Sequence, residues 1–169
     1  MFGDLQKSRT IAYSAAFIGL IRLGALVSIP FFPVPLTLQT LFVLLAGAVM
    51  KRYAVIPVSL YVLLGALGLP VFHTGVAGLG ILLGPTGGYL MGFIFAAFVV
   101  GLAYEHEAVI IHITGLLAGT AIIYICGIAW LMYSLNLGFI PAILSGVIPF
   151  IPGDAIKIFA AFMIAKRLP

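Results

Sequence analysis

Charge is almost confined to the short breaks between long apolar runs, and this constrains the chain more than any other feature of its sequence. The runs cover residues 10–28, 36–50, 53–69, 86–104, 108–133 and 152–166. A soluble domain carries about a quarter charged residues. Here 7% are charged and 64% are hydrophobic, too little polar surface for life in water. The chain therefore reads as an all-α membrane protein, one domain over residues 1–169 with six transmembrane helices. The first run follows Lys7 and Arg9 and superficially resembles a signal peptide, with Ala25-Leu-Val-Ser28 as its cleavage site. Its length of about 20 residues suits a span better, and more spans follow.

The breaks carry as much information as the runs. Pro30, Pro33 and Pro35 forbid regular helix after the first span. Between Pro70 and Gly88 lies a long segment with Gly75, Gly78, Gly80, Gly84, Gly87 and Gly88. A second irregular stretch, residues 134–151, has room for a short helix. Long loops of this kind serve as lids or binding loops, and the plainer alternative is a connector. The last span has about 15 residues, fewer than the ~20 that a hydrocarbon core of ~30 Å requires. Such a helix stops inside the bilayer, where a cavity or a covering loop must replace lipid.

Orientation follows from the basic residues. Lys7 and Arg9 precede the first span, Lys51 and Arg52 join the second to the third, and Lys166 and Arg167 close the sixth. Six crossings put all of them on one side, which the positive-inside rule makes the cytoplasm, so both termini are cytoplasmic. Asp4 and the Glu105/Glu107 loop fall on the same side. The net charge of +4 is thus a topology signal and not a footprint for nucleic acid. Cys126 lies within an apolar run, has no partner for a disulfide, and reads as a small buried side chain.

Three charges remain inside the spans: Arg22, Asp154 and Lys157. Ionisable groups there are costly and usually meet a partner or a cavity. In this topology spans two, four and six begin at the outer face, each behind a proline: Pro35, Pro85 and Pro152. Their first turns offer unpaired N–H groups and partial positive charge, a natural anion site. Asp154 and Lys157, one turn apart, share a helix face there. A cap with an intrahelical ion pair is the structural alternative to a ligand site with one acceptor and one cation. Gln39, Thr86 and Tyr89, near the starts of spans two and four, are counted as further candidate ligand contacts. Gln39 has a buried helix–helix hydrogen bond as its alternative, and Tyr89 an interfacial anchor. His73 and His112 are too isolated for a metal site. On the first span Ala12, Ala15, Gly19 and Arg22 share a stripe, and Ala15 with Gly19 makes a small-xxx-small pair that lets another helix approach. Arg22 is placed to snorkel, to pair with Asp154, or to meet a ligand.

No G-x-x-x-x-G-K-[ST] motif occurs, so the chain does not hydrolyse ATP by a P-loop. H-E-x-x-H and G-x-S-x-G are also missing. Ser145-Gly146 with a distant His112 invites an intramembrane serine protease, but the glycine expected two residues before the serine is absent.

Five strings stand out along the chain: Ser28-Ile-Pro30, Pro33-Val-Pro-Leu-Thr-Leu-Gln-Thr-Leu-Phe-Val-Leu-Leu-Ala-Gly47, Gly65-Ala-Leu-Gly-Leu-Pro-Val-Phe72, Gly84-Pro-Thr-Gly-Gly-Tyr-Leu90 and Pro149-Phe-Ile-Pro-Gly-Asp-Ala-Ile-Lys157. Together they resemble the BioY family, the biotin-specific substrate-binding (S) components of energy-coupling-factor (ECF) transporters. The resemblance implies six helices, and an outward pocket for biotin formed by the later helices, lined by Asp154 and Lys157. Residues 70–88, with Gly75, Gly78 and Gly84, and residues 134–151 would cover it. It implies no cofactor. It also implies docking, through an A-x-x-x-A motif in the first helix, onto a transmembrane T component that couples two cytoplasmic ATPases. Ala12 and Ala16 match that motif, and Ala15 with Gly19 gives a second version. Arg22 stands where the family has an apolar residue. The expected activity is capture of biotin at the outer face of the cell membrane and its uptake. The alternatives are an S component for another vitamin and, from a different class, an intramembrane enzyme.

Overall fold

The computed structural model describes residues 2–168, with side chains from Lys7 onward; the side chain of Asp4 lies outside them. The chain is a bundle of α1 (Phe2–Leu26), α2 (Gln39–Met50), α3 (Val55–Ala66), α4 (Leu79–Leu83), α5 (Gly87–Ala103), α6 (Val109–Leu135), α7 (Phe139–Gly146) and α8 (Ile151–Ala165). The helices are apolar on nearly all sides, and large side chains such as Ile11, Leu63, Phe95, Ile125 and Phe159 are exposed. That distribution suits helices surrounded by lipid. Ala25 and Ile21 are fully buried, so α1 is an integral part of the bundle rather than a leader packed on nothing.

Each apolar run becomes a helix, with two corrections. The second run begins its helix at Gln39, not at Leu36. Leu36–Thr37 (β2) instead pairs antiparallel with Ser28–Ile29 (β1), Ser28 opposite Thr37 and Ile29 opposite Leu36. The three prolines thus shape a hairpin arm, whose Phe31 and Phe32 are exposed, rather than a bare break. The glycine-rich segment is the other correction, since it contains α4 and a 3₁₀ turn at His73–Gly75. The stretch 134–151 holds α7, the short helix for which it had room.

By length and hydropathy, residues 7–26, 39–66 and 109–135 each suffice to cross a membrane, as do α7 and α8 taken together across a 54° bend; α5 is shorter. The stretch 39–66 is nevertheless two helices. On one continuous helix Gln39 and Tyr61 would lie ~33 Å apart, yet Gln39 Nε2 sits 2.6 Å from the Tyr61 hydroxyl. The chain reverses at Lys51, where φ is 56° and ψ −142°.

α5 lies at the centre, packed on α2, α3 and α6. Its contact with α6 is close because Gly88 has no side chain: a Cβ there would stand 2.4 Å from the Cys126 carbonyl oxygen. At one end of the bundle, Arg52 Nε donates to Glu105 Oε1 at 2.6 Å, tying the α2–α3 turn to the α5–α6 turn. Lys166 lines a recess there with Tyr104 and His112, and Lys7 shares a groove with Tyr53. The basic residues of the breaks therefore gather at this end. The hydrogen bond from Arg52 holds the Glu105 carboxyl below its ordinary pKa. The contribution of this pair to stability is present at neutral pH and fades as pH falls through that lowered value. Because both groups are exposed, Arg52→Ala is expected to leave the thermal midpoint nearly unchanged, as differential scanning fluorimetry would show.

Candidate ligand-binding site

At the opposite end the first turns of α2, α5 and α8 converge on one cavity of about 50 Å³. Gln39 and Thr40 come from α2, Thr86, Tyr89 and Leu90 from the start of α5, and Phe150, Asp154 and Lys157 from α8. Pro152 sits in the first turn of α8, as its restricted φ favours. Pro35 and Pro85 precede their helices by a few residues and do not occupy first turns. The convergence therefore rests on the helix ends themselves.

Asp154 is the polar centre, 4% exposed. Its Oδ1 accepts from Lys157 Nζ at 2.8 Å and from Thr40 Oγ1 at 3.2 Å. Its Oδ2 accepts from the Tyr124 hydroxyl of α6 at 2.5 Å. The carboxylate is thus held by three helices, and the Lys157 side chain is itself only 11% exposed. A buried pair of this kind gains little stability for its desolvation cost. It is more than a cap plus an intrahelical pair, because Thr40 and Tyr124 reach it from outside α8.

The other predicted contacts line the cavity with their polar atoms already engaged. Gln39 Nε2 donates to Tyr61, its Oε1 accepts from Thr37 at 3.1 Å, and Tyr61 donates onward to the Val71 carbonyl at 2.8 Å. The helix–helix hydrogen bond offered as its alternative is therefore present. Tyr89 is buried, not an interfacial anchor. It fits a slot between Gly127 and Gly146, where a Cβ on either glycine would stand 2.3 Å from it. Its hydroxyl donates to the Gly146 carbonyl at 2.8 Å, and its ring stacks on Phe150. Thr86 bonds back to the Ile81 carbonyl at 3.4 Å.

Gly75, Gly78 and Gly84 lie outside the lining. Gly75 and Gly78 take positive φ, 78° and 99°, which glycine accepts without strain. Gly84 accepts from Trp130 Nε1 at 2.9 Å. The segment meets the cavity through Phe72 and His73, and the β1–β2 arm does so through Val34, Pro35 and Thr37. Residues 134–151 contribute Phe150. Arg22 neither snorkels nor meets Asp154: its Nη1 donates to the Phe72 carbonyl at 3.3 Å. Two successive carbonyls, Val71 and Phe72, are thereby held by Tyr61 from α3 and Arg22 from α1.

Sequence reasoning missed Thr40, Tyr61, Tyr124 and the arm. Tyr61 and Tyr124 were visible as phenols inside apolar runs. Thr40 adjoins the chosen Gln39, but nothing in the sequence distinguished it. His73 lies at the cavity, while His112 stacks on Tyr104 at the other end, and no cluster of metal-ligating side chains occurs among the described residues. Ser145 Oγ donates to the Pro141 carbonyl of its own helix at 2.8 Å, so it forms no pair with His112.

Ala12, Ala15, Ala16 and Gly19 lie on α1 away from this cavity, all exposed, and a Cβ on Gly19 would meet nothing within 4 Å.

The BioY family model matches residues 3–169. The biotin transporter BioY of Thermotoga maritima is 44% identical over 162 residues, which cover 95% of each chain. A probable biotin transporter BioY of Pyrococcus horikoshii is 40% identical, over 96% of this chain and 98% of its own. The crystal structure of an S-component for biotin from an ECF-type ABC transporter superimposes with a TM-score of 0.86 at 31% identity, over 96% of this chain and 91% of that one. The family match runs from α1 through the hairpin arm to the Asp154 helix: the chain belongs to the BioY family.

Proposed function

We propose that the chain captures biotin at the outer face of the cell membrane and mediates its uptake as the S component of an ECF-type transporter. The observation that carries this reading is Asp154, a carboxylate buried among three converging helix starts with Lys157 beside it. Biotin offers ureido N–H donors for a carboxylate, and a carbonyl and a valerate anion for a lysine or helix N-termini. The chain crosses the membrane six times with both termini in the cytoplasm. The basic end with Lys7, Arg52 and Lys166 is the inner one and the cavity the outer one. Calorimetry of the purified protein tests the reading. Tight binding of biotin supports it, and binding of a different vitamin with biotin ignored would sink it.

The cavity holds about 50 Å³, room for little more than water, so biotin enters only when the wall yields. The movable wall is the arm and the Phe72–His73 loop, which serve with Gly75, Gly78 and Gly84 as the lid. Arg22→Met removes a hydrogen bond from a charged donor to that loop and is expected to speed biotin release about tenfold. Stopped-flow dissociation measures this, and an unchanged rate would exclude Arg22 from closure. Tyr124→Phe removes one of three donors to Asp154 and is expected to weaken biotin binding by about tenfold, read by the same calorimetry.

Import requires partners: a transmembrane T component and, through it, two ATPases. The exposed stripe Ala12, Ala15, Ala16 and Gly19 is the docking face, small enough for close helix approach. A cysteine at Ala12 is expected to cross-link to the T component, and failure to do so would remove this face from consideration.

A further inference from the structure

A groove of about 800 Å³ runs between α1 and α3 toward the basic end, far from Asp154. Lys7 and Tyr53 stand at its mouth, and Ile11, Ile18, Ile56 and Leu60 line its length. Within it lies Ser14, 7% exposed, whose hydroxyl has no hydrogen-bond partner. A buried hydroxyl without a partner costs free energy comparable to a lost hydrogen bond, and serines on apolar helices ordinarily bond back to their own turn. An acceptor supplied from outside would satisfy it. Lys7 has no acidic partner among the described ion pairs.

We propose that this groove binds one anionic phospholipid, its phosphate at Lys7, an ester oxygen accepting from Ser14, and an acyl chain along Ile11, Ile18, Ile56 and Leu60. The chemistry is graded along the groove as it is along a lipid: the Lys7 cation, then the hydroxyl residues Thr10 and Ser14 about one and two turns deeper, then hydrocarbon at Ile18 and Leu60. A partner helix fits less well. At about 100° per residue the groove-lining positions of α1 centre more than a third of a turn away from Ala12, Ala16 and Gly19, and of the small-residue stripe Ala15 alone lines the groove. The inference rests on the chain being in a membrane, and not on biotin being its ligand.

The test uses the full chain in nanodiscs of phosphatidylcholine and phosphatidylglycerol in equal amounts, released for native mass spectrometry. The wild type is expected to retain one phosphatidylglycerol in preference to phosphatidylcholine. Lys7→Ala is expected to lower that retention about fivefold, the effect of one cation near an anionic headgroup. Ser14→Ala is expected to weaken retention of both lipids, and Ile11→Trp, at an exposed position that fills the groove, to abolish it. Biotin binding, measured in parallel, is expected to be unchanged in all three, which separates this reading from the one above. Equal retention of both lipids by the wild type, or no response to Lys7→Ala, overturns the proposal. Displacement of the lipid by excess glycerol phosphate would show a site for a free anion instead. If Ile11→Trp leaves lipid bound but stops co-purification of the T component, a partner helix fills the groove and the lipid reading falls.

Discussion

Asp154→Asn is expected to lower biotin affinity by more than two orders of magnitude. The wild-type carboxylate accepts from Lys157, Thr40 and Tyr124. Asparagine keeps its shape but loses the charge, and its amide NH₂ turns a donor toward other donors. Lys157 is then left buried without a counter-charge, and breaking a buried pair in this way costs about 3–5 kcal/mol, against 1.4 kcal/mol per decade of affinity. Part of that cost falls on folding, so one variant alone does not separate a ligand contact from a structural one. The double variant Asp154→Asn/Lys157→Met does. Exchanging a buried pair for apolar side chains is often neutral or stabilising, so the thermal midpoint is expected to recover while biotin binding stays lost. Binding that returns along with stability would make the pair a structural feature and send the search for ligand contacts elsewhere.

The helices were legible in the sequence because the signal for a span is one-dimensional. Apolar runs and their charged ends lie along the chain, and α5, α6 and α8 begin and end within two residues of where the pattern placed them. The β1–β2 arm was not legible. Proline tells where helix is forbidden, but whether the freed backbone loops at random or pairs with itself depends on register across eight residues of separation between Ser28 and Thr37. Within the site, Asp154 and Lys157 stood out because charge in an apolar run needs a reason. Thr40 and Tyr124 supply that reason from residues 114 and 30 positions away, a relation no local pattern encodes. Arg22 shows the same limit. Its place on α1 suggested the small-residue stripe, yet the long side chain turns to a loop carbonyl fifty residues on, which ties it to the loop that lines the cavity rather than to that stripe.

Gly65→Ala is expected to open the cavity from the side of α3. Phe72 is fully buried, its ring set edge-on to Tyr61 at 5.8 Å between centroids, and it lies directly over Gly65. A Cβ on Gly65 would stand 2.1 Å from the Phe72 ring, closer than any contact tolerates. The ring must move, and it is poorly free to do so. The carbonyls on and before it are held by Arg22 and Tyr61, and the Gly78 N–H donates to Gly65 itself at 2.7 Å. Overpacking of this kind costs about 1–3 kcal/mol, relieved most directly by swinging the 71–76 loop off the cavity. Biotin dissociation is therefore expected to accelerate between tenfold and a hundredfold, with a smaller effect on association, because an open lid obstructs entry less than it fails to retain. Gly80→Ala, in the same segment but with nothing within 4 Å of the new methyl, is expected to behave as wild type. If Gly65→Ala releases biotin at the wild-type rate while Phe72 fluorescence-independent probes such as hydrogen exchange show the 71–76 loop displaced, the loop is not the gate, and closure must be assigned to the proline-rich arm across the cavity.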